Sequence, residues 1–275
     1  MNQTFKSMLG QLQRYLGNSS LLCGLTVKLR NQCDAVIHAH LNDGIDMNRN
    51  GEMWLINTIA PDAKTFIDVG ANTGAWTKAF LEKMQRPLKG ILIEPSPHAF
   101  RMLTKMFESE ISSHALIALQ QAAADSCGSL PFYTEENAGE TSSLVSKHSH
   151  PSAREISVMT TTIDEVINSQ GLAFVDMLKI DAEGYDLNVL LGAENSLRTK
   201  SIGVIQFEYN RPWAYTGSTL AYAIDYLNKF EYNLFLLKNK GLYSFTYENF
   251  GDYFGYSNFV AFAPGFPHTA SVNSL

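Results

Sequence analysis

Cysteine is scarce in this chain: Cys23, Cys33 and Cys127 are the whole complement in 275 residues. They are odd in number, scattered and without metal-ligand spacing, so neither a disulfide framework nor a zinc site is expected. The thiols suit a reducing cytoplasm, as inert packing residues. Long apolar runs are missing as well, and no segment approaches the length that spans a bilayer. Leu21-Leu22-Cys23-Gly24-Leu25 is too short and too interrupted for a signal peptide. There is no basic excess either. The formal net charge is −6, which leaves no electrostatic footprint for nucleic acid. No internal repeat or low-complexity linker breaks the chain. With 45% hydrophobic and 17% charged residues, it reads as a soluble globular protein, of a length that α/β folds often build as a single domain.

What is present falls into three parts. Residues 1–60 lack strand patterning and read as helical, with a break at Asn18-Ser19-Ser20. Phe5, Met8, Leu9, Leu12, Tyr15 and Leu16 recur at helical spacing. That stripe is expected to pack on the main domain or on a second subunit, which leaves a homodimer open. A membrane-surface helix fits less well, because its polar face carries only Lys6 and Arg14. Residues 61–265 form the main domain, and 266–275 a tail.

From Ala63 onward apolar runs alternate with helical segments, which implies a mostly parallel sheet with helices on both faces. Strands are predicted at 65–69, 90–94, 116–120, 173–180 and 202–207. Helices are predicted from Ala75, from near Pro97, and over 163–168, 187–197 and 220–230. The runs 232–237 and 258–262 have no helix between them and should pair as an antiparallel edge. The expected fold is therefore a Rossmann-like, seven-stranded α/β sheet closed by an antiparallel C-terminal hairpin. Residues 125–161 break the alternation and read as a flap above the sheet.

The chemistry concentrates where the first strand ends. Asp68-x-Gly70-x-x-x-Gly74 is a strand tip, a glycine turn and a helix start, the arrangement that brings backbone close to a nucleotide-like ligand. Glu94 ends the second strand about twenty residues beyond the last turn glycine, where a ribose-binding acid belongs. A dinucleotide site expects G-x-G-x-x-G, yet Asn72 stands where the middle glycine would be. An acid at the strand tip would also repel a diphosphate. The sulfonium and ammonium of S-adenosylmethionine suit that acid better than a nicotinamide or flavin nucleotide does.

Taken together, several segments resemble the FkbM-type S-adenosylmethionine-dependent methyltransferases. They are Ile67-Asp68-Val69-Gly70-Ala71-Asn72-Thr73-Gly74, Glu94-Pro95-Ser96-Pro97, Ala123-Ala124-Asp125 with Gly128, and Thr161-Thr162-Ile163-Asp164. Leu178-Lys179-Ile180-Asp181-Ala182-Glu183-Gly184-Tyr185-Asp186, Gly192 and Glu208 complete the match. The likeness covers residues 50–210; Tyr185-Asp186 departs from it, standing where the family commonly has a small residue and Glu. The resemblance implies methyl transfer to an oxygen, often on a sugar or another small product. By the same resemblance Gly70, Ala71, Asn72 and Gly74 would shape the turn around the methionine part of the donor. Asp68 would hold its ammonium through water or backbone, and Glu94 would accept the ribose hydroxyls. Pro95 and Ser96 would border the adenine, with Asp125 and the Ala124 backbone at its amino edge. Asp125 also reads as a simple turn residue.

On the acceptor side a hydroxyl must lose its proton as the new bond forms, so a positioned base is expected. Asp181, Glu183 and Glu208 lie at strand tips facing the crevice where such sheets bind ligands. Competing explanations are helix capping for Asp181 and Glu183, and a salt bridge to Arg211 for Glu208. Asp181, Glu208 and Asn210 together would offer three oxygens to Mg²⁺. His148 and His150 are alternative bases in the flap. Trp213, Tyr215 and the aromatic run 243–256 read as packing. Two other functions stay open: an N-methyltransferase, and a protein that binds the donor without catalysing.

Overall fold

The computed structural model describes residues 3–85, 89–134, 144, 153–266 and 272–275. Contacts divide the chain into two units, Met1–Leu41 and Asn42–Leu275. In the first, α1 (Gln3–Gly17) packs on α2 (Ser20–Leu41), with the predicted break between them. Met8, Leu12 and Tyr15 of the apolar stripe are exposed. Among the described residues no helix is long and apolar enough to cross a membrane.

In the second unit α3 (Glu52–Ile59) precedes β1 (Thr65–Val69), α4 (Ala75–Leu81), β2 (Lys89–Ile93), α5 (Pro97–Met106), α6 (Glu108–Ser112) and β3 (Leu116–Leu119). β4 (Ala122–Ala123), β5 (Gly128–Thr134) and β6 (Arg154–Thr161) follow. Next come α7 (Ile163–Ser169), β7 (Val175–Ile180), α8 (Asp186–Leu191), α9 (Glu194–Arg198) and β8 (Ile202–Tyr209). Last are α10 (Trp213–Thr216), α11 (Leu220–Lys229), β9 (Asn233–Lys238), β10 (Gly241–Tyr243), α12 (Tyr247–Phe250) and β11 (Ser257–Phe262).

The main sheet runs β10-β9-β11-β8-β7-β1-β2-β3. β3, β2, β1, β7 and β8 pair in parallel, and β11 inserts antiparallel between β8 and β9. This is the Rossmann-like arrangement expected, with the C-terminal strands paired as predicted. One strand is additional: β10, only three residues long, pairs antiparallel outside β9 and makes the sheet eight-stranded. β5 and β6, from the segment read as a flap, pair antiparallel, and β4, just ahead of that segment, pairs in parallel with β6 to complete a small second sheet.

The single helix expected over 187–197 is two. A Cβ on Gly192 would lie 2.1 Å from the carbonyl oxygen of Ala124, so backbone packs on backbone at this point. The Asp164 carboxylate then accepts the N–H groups of Asn195 and Ser196 at 2.8 and 2.9 Å. Those bonds satisfy the open start of α9 and make the break stable. The cysteines are also corrected: all three are free and exposed, so none is a packing residue. Beside α4 the core is aromatic, with Trp76 stacked on Phe80 at 4.9 Å and Phe80 against Phe66 at 5.0 Å.

Candidate active site

Strand register assembles the site. Asp68 of β1 pairs with Lys179 of β7, which pairs with Gln206 of β8. All three are buried and share one face of the sheet. Because side chains repeat every second residue, that face next presents Gly70, Asp181 and Glu208 at the C-terminal strand ends. Asn258 of β11 stands opposite Glu208. A cleft of about 710 Å³ opens there, lined by Gly70, Ala71, Asn72, Asp181, Glu183 and Glu208 among others. Six of the predicted site residues thus meet in one place.

The glycine turn is built for close approach. Gly70 has φ 71°, and a Cβ there would lie 1.8 Å from the Asp181 carbonyl oxygen. A Cβ on Gly74 would lie 2.4 Å from the Phe107 ring. Asn72 sits at φ 49°, a left-handed conformation that asparagine tolerates better than most residues. The Asn72 N–H donates to Glu94 Oε2 at 2.8 Å, and the Ser96 N–H donates to Glu94 Oε1 at 2.7 Å. Glu94 thereby ties the turn to the start of α5, where Ser96 is the N-cap. Burial pushes the Glu94 carboxyl up to about 7, against the pull of those two N–H bonds.

Not every predicted residue reaches the cleft. Asp68, Gly74, Glu94, Pro95, Ser96, Ala124 and Asp125 lie outside its lining. Glu94 is joined to it through Asn72, and Asp68 through Lys179. The Ala124 N–H is already committed to the Thr161 carbonyl at 2.9 Å. Asp125 is exposed and accepts the Ser126 hydroxyl at 3.2 Å, as a turn residue would. His148 and His150 lie outside the described residues.

One buried cation organises the acids. Lys179 Nζ is 3.1 Å from Asp181 Oδ2 and 3.6 Å from Asp68 Oδ1. Burial alone would lower the pKa of this lysine, but Asp181, Asp68 and Glu52 hold it above its ordinary value. Asp68 also accepts the Thr77 hydroxyl at 2.6 Å; burial pushes its carboxyl up while Lys179 and Thr77 pull it down.

No side chain caps α8, and the Asp181 carboxylate pairs with Lys179 instead. Glu208 accepts the Asn210 amide rather than pairing with Arg211. Burial, then the charges of Asp181, Glu183 and Asp186, push Glu208 well above the usual carboxylate range. Asp186 is fully buried and accepts the N–H groups of Gly184 and Glu208 at 3.2 and 3.3 Å. It keeps the acid character seen in the sequence and anchors the loop to β8. Trp213 is buried, as expected of packing, and donates its indole N–H to the Glu208 carbonyl at 2.9 Å.

The residues present do not fit the Mg²⁺ site. Among the described residues no group of three His, Cys, Asp or Glu side chains is placed to hold a metal. Asp181 already faces the Lys179 ammonium, and Asn210 turns its N–H toward Glu208.

Lys179, Gln206, Glu52, Trp76 and Asn258 also line the cleft without a role expected from the sequence, and Tyr256, expected to pack, lines it too. A signal was available for two of them. Lys179 and Gln206 interrupt otherwise apolar strands, and such residues are seldom buried without a reason.

A family model described as the methyltransferase FkbM domain matches residues 68–234. The hexuronic acid methyltransferase AglP of Haloferax volcanii is 27% identical over 161 residues, covering 57% of this chain and 62% of that protein. The methyltransferase sdnD of Sordaria araneosa is 24% identical over 161 residues, covering 49% of this chain and 62% of that protein. The chain thus spans less than two thirds of the length of either relative. A crystal structure of a methyltransferase FkbM from Methylobacillus flagellatus KT aligns at 13% identity with a TM-score of 0.47, covering 73% of this chain and 44% of that one.

Proposed function

The chain belongs to the FkbM methyltransferase family, and from that premise we propose that it moves a methyl group from S-adenosylmethionine to a hydroxyl of a small or sugar-containing acceptor. The observation that carries this reading is the clamp of Glu94 on the Asn72 turn, opening into a cleft lined by carboxylates. When bound, such a donor would supply an electrophilic methyl on a sulfonium.

The residues fit that donor. The glycines let the turn pack tightly against the Asp181 backbone and the Phe107 ring, and the acids lining the cleft beside it favour a cation over a diphosphate. Each Glu94 oxygen accepts one N–H, and a carboxylate oxygen can accept a second bond, which the ribose hydroxyls would supply. Gly70, Ala71 and Asn72 present backbone to the methionine part. Asp68, held by Thr77 and Lys179, acts through the turn rather than by direct contact.

On the acceptor side we assign the base to Glu208. Its crowded, buried carboxylate has a raised proton affinity, which brings it closer to the demand of a hydroxyl. Asp181, neutralised by Lys179, and Glu183 shape the cleft around it. The Haloferax relative is named for a sugar derivative, which supports a sugar ring in the acceptor but not an acid group on it. The three free, exposed thiols fit a reducing cytoplasm. The test is formation of S-adenosylhomocysteine when the chain is mixed with donor and a panel of hydroxylated acceptors. Turnover that needs an acceptor hydroxyl supports the reading; turnover only with amines contradicts it.

A further inference from the structure

Two amides in the cleft are each oriented by a carboxylate. Gln206 gives its Nε2 to Glu52 Oε1 at 2.7 Å, and Asn210 gives its Nδ2 to Glu208 Oε1. In each pair the amide N–H end faces the acid oxygen. The carbonyl ends are therefore left over. Gln206 Oε1 and Asn210 Oδ1 are both buried without a hydrogen-bond partner. Gln206 is 1% and Asn210 6% exposed, and both line the cleft. Trp76, 5% exposed and also lining it, has its indole N–H buried and unpartnered.

Buried polar groups without partners are costly and uncommon, and a set of them around one cleft marks what a ligand must supply. The two amide oxygens need donors; the indole needs an acceptor. A hydroxyl is both. An ammonium would satisfy the amides and leave the indole, and a carboxylate would satisfy the indole and leave the amides.

We propose that Gln206 and Asn210 are the acceptor-recognition pair of this cleft, and that they select an uncharged, hydroxyl-rich ring over a carboxylate-bearing one. This rests on the methyl-transfer reading and narrows its acceptor class. Charge points the same way. Glu52, Asp181, Glu183 and Glu208 line the cleft against Lys179 and Arg211. Lys179 is already paired with two acids, and Arg211 is exposed. A further carboxylate on the acceptor would enter a field of its own sign. The class named for the Haloferax relative, a hexuronic acid, is thus the one this cleft disfavours.

The test is a matched pair, methyl β-glucoside and methyl β-glucuronide, titrated into the full chain with and without saturating S-adenosylhomocysteine. The glucoside is expected to bind about tenfold or more tightly than the glucuronide, in keeping with unpaired polar groups and like charge. Gln206→Met and Asn210→Leu should each weaken glucoside binding about tenfold and leave the S-adenosylhomocysteine affinity unchanged. If one variant does not fold, the other and the unmutated chain still give the answer. Equal or tighter glucuronide binding, no binding of either glycoside, or wild-type glucoside affinity in the folded variants would overturn the proposal. Failure of S-adenosylhomocysteine to bind is a separate result; it removes the methyl-transfer reading, while the glycoside pair still reports on the cleft.

Discussion

The backbone N–H of Asn72 donates to Glu94 Oε2 at 2.8 Å, so the turn after β1 and the acid after β2 form one structural unit. Burial holds Glu94 at about 7 in the free protein, where it is half ionised near neutral pH. Ribose hydroxyls donate to a carboxylate, so binding favours the ionised form and releases a proton. S-adenosylhomocysteine affinity is therefore expected to rise about tenfold from pH 6 to pH 8, and Glu94→Gln should flatten that dependence. Calorimetry in buffers of different ionisation enthalpy reads both the affinity and the proton. For the fold alone, the neutral carboxyl is the favoured buried form. The contribution of Glu94 is thus present at low pH and lost as pH rises through about 7.

Lys179 should behave as a buried pair partner rather than a surface charge. Replacing it with Met leaves Asp68 and Asp181 facing each other without their cation. Lys179→Met is expected to cost about 3–5 kcal/mol of stability, measured by urea unfolding. The double variant Lys179→Met/Asp68→Asn should recover part of that loss. A single variant as stable as the unmutated chain would contradict the role.

Gly70 and Gly171 both have positive φ, but only Gly70 has backbone against it. Gly171→Ala has open space and should cost about 1–2 kcal/mol. Gly70→Ala meets the Asp181 carbonyl 1.8 Å away, so it must displace the β1–β7 tip and abolish donor binding. Thermal melts and donor titration of the two variants side by side separate strain from clash.

Glu208→Gln removes a proton acceptor while keeping size and hydrogen bonding. The turnover number should fall about 10²–10⁴-fold with donor affinity unchanged. In the unmutated chain the rate should rise with pH through a group above the usual carboxylate range, because burial and neighbouring acids raise Glu208. Loss of donor binding in this variant would move Glu208 from the acceptor side to the donor side.

Much of this architecture is legible in the sequence. The five parallel strands are apolar runs bounded by turn signals, and the turn with Glu94 could be read from spacing alone. β10 escaped because Gly241-Leu242-Tyr243 is too short to show a period. The break at Gly192 escaped because its cause is the distant Ala124 carbonyl. Lys179 and Gln206 stood in view as polar residues inside apolar strands. Their partnership with Asp68 and Glu52 required the order β8-β7-β1 and the position of α3, which no local pattern supplies.

The most direct measurement is titration of the purified chain and of Glu94→Ala with S-adenosylmethionine, S-adenosylhomocysteine and NADH. The first two are expected to bind at micromolar concentration and NADH is not, and Glu94→Ala should weaken both about ten- to hundredfold, as expected for lost hydrogen bonds to a charged group. NADH binding, or no binding of either sulfur ligand by a folded sample, would contradict this expectation.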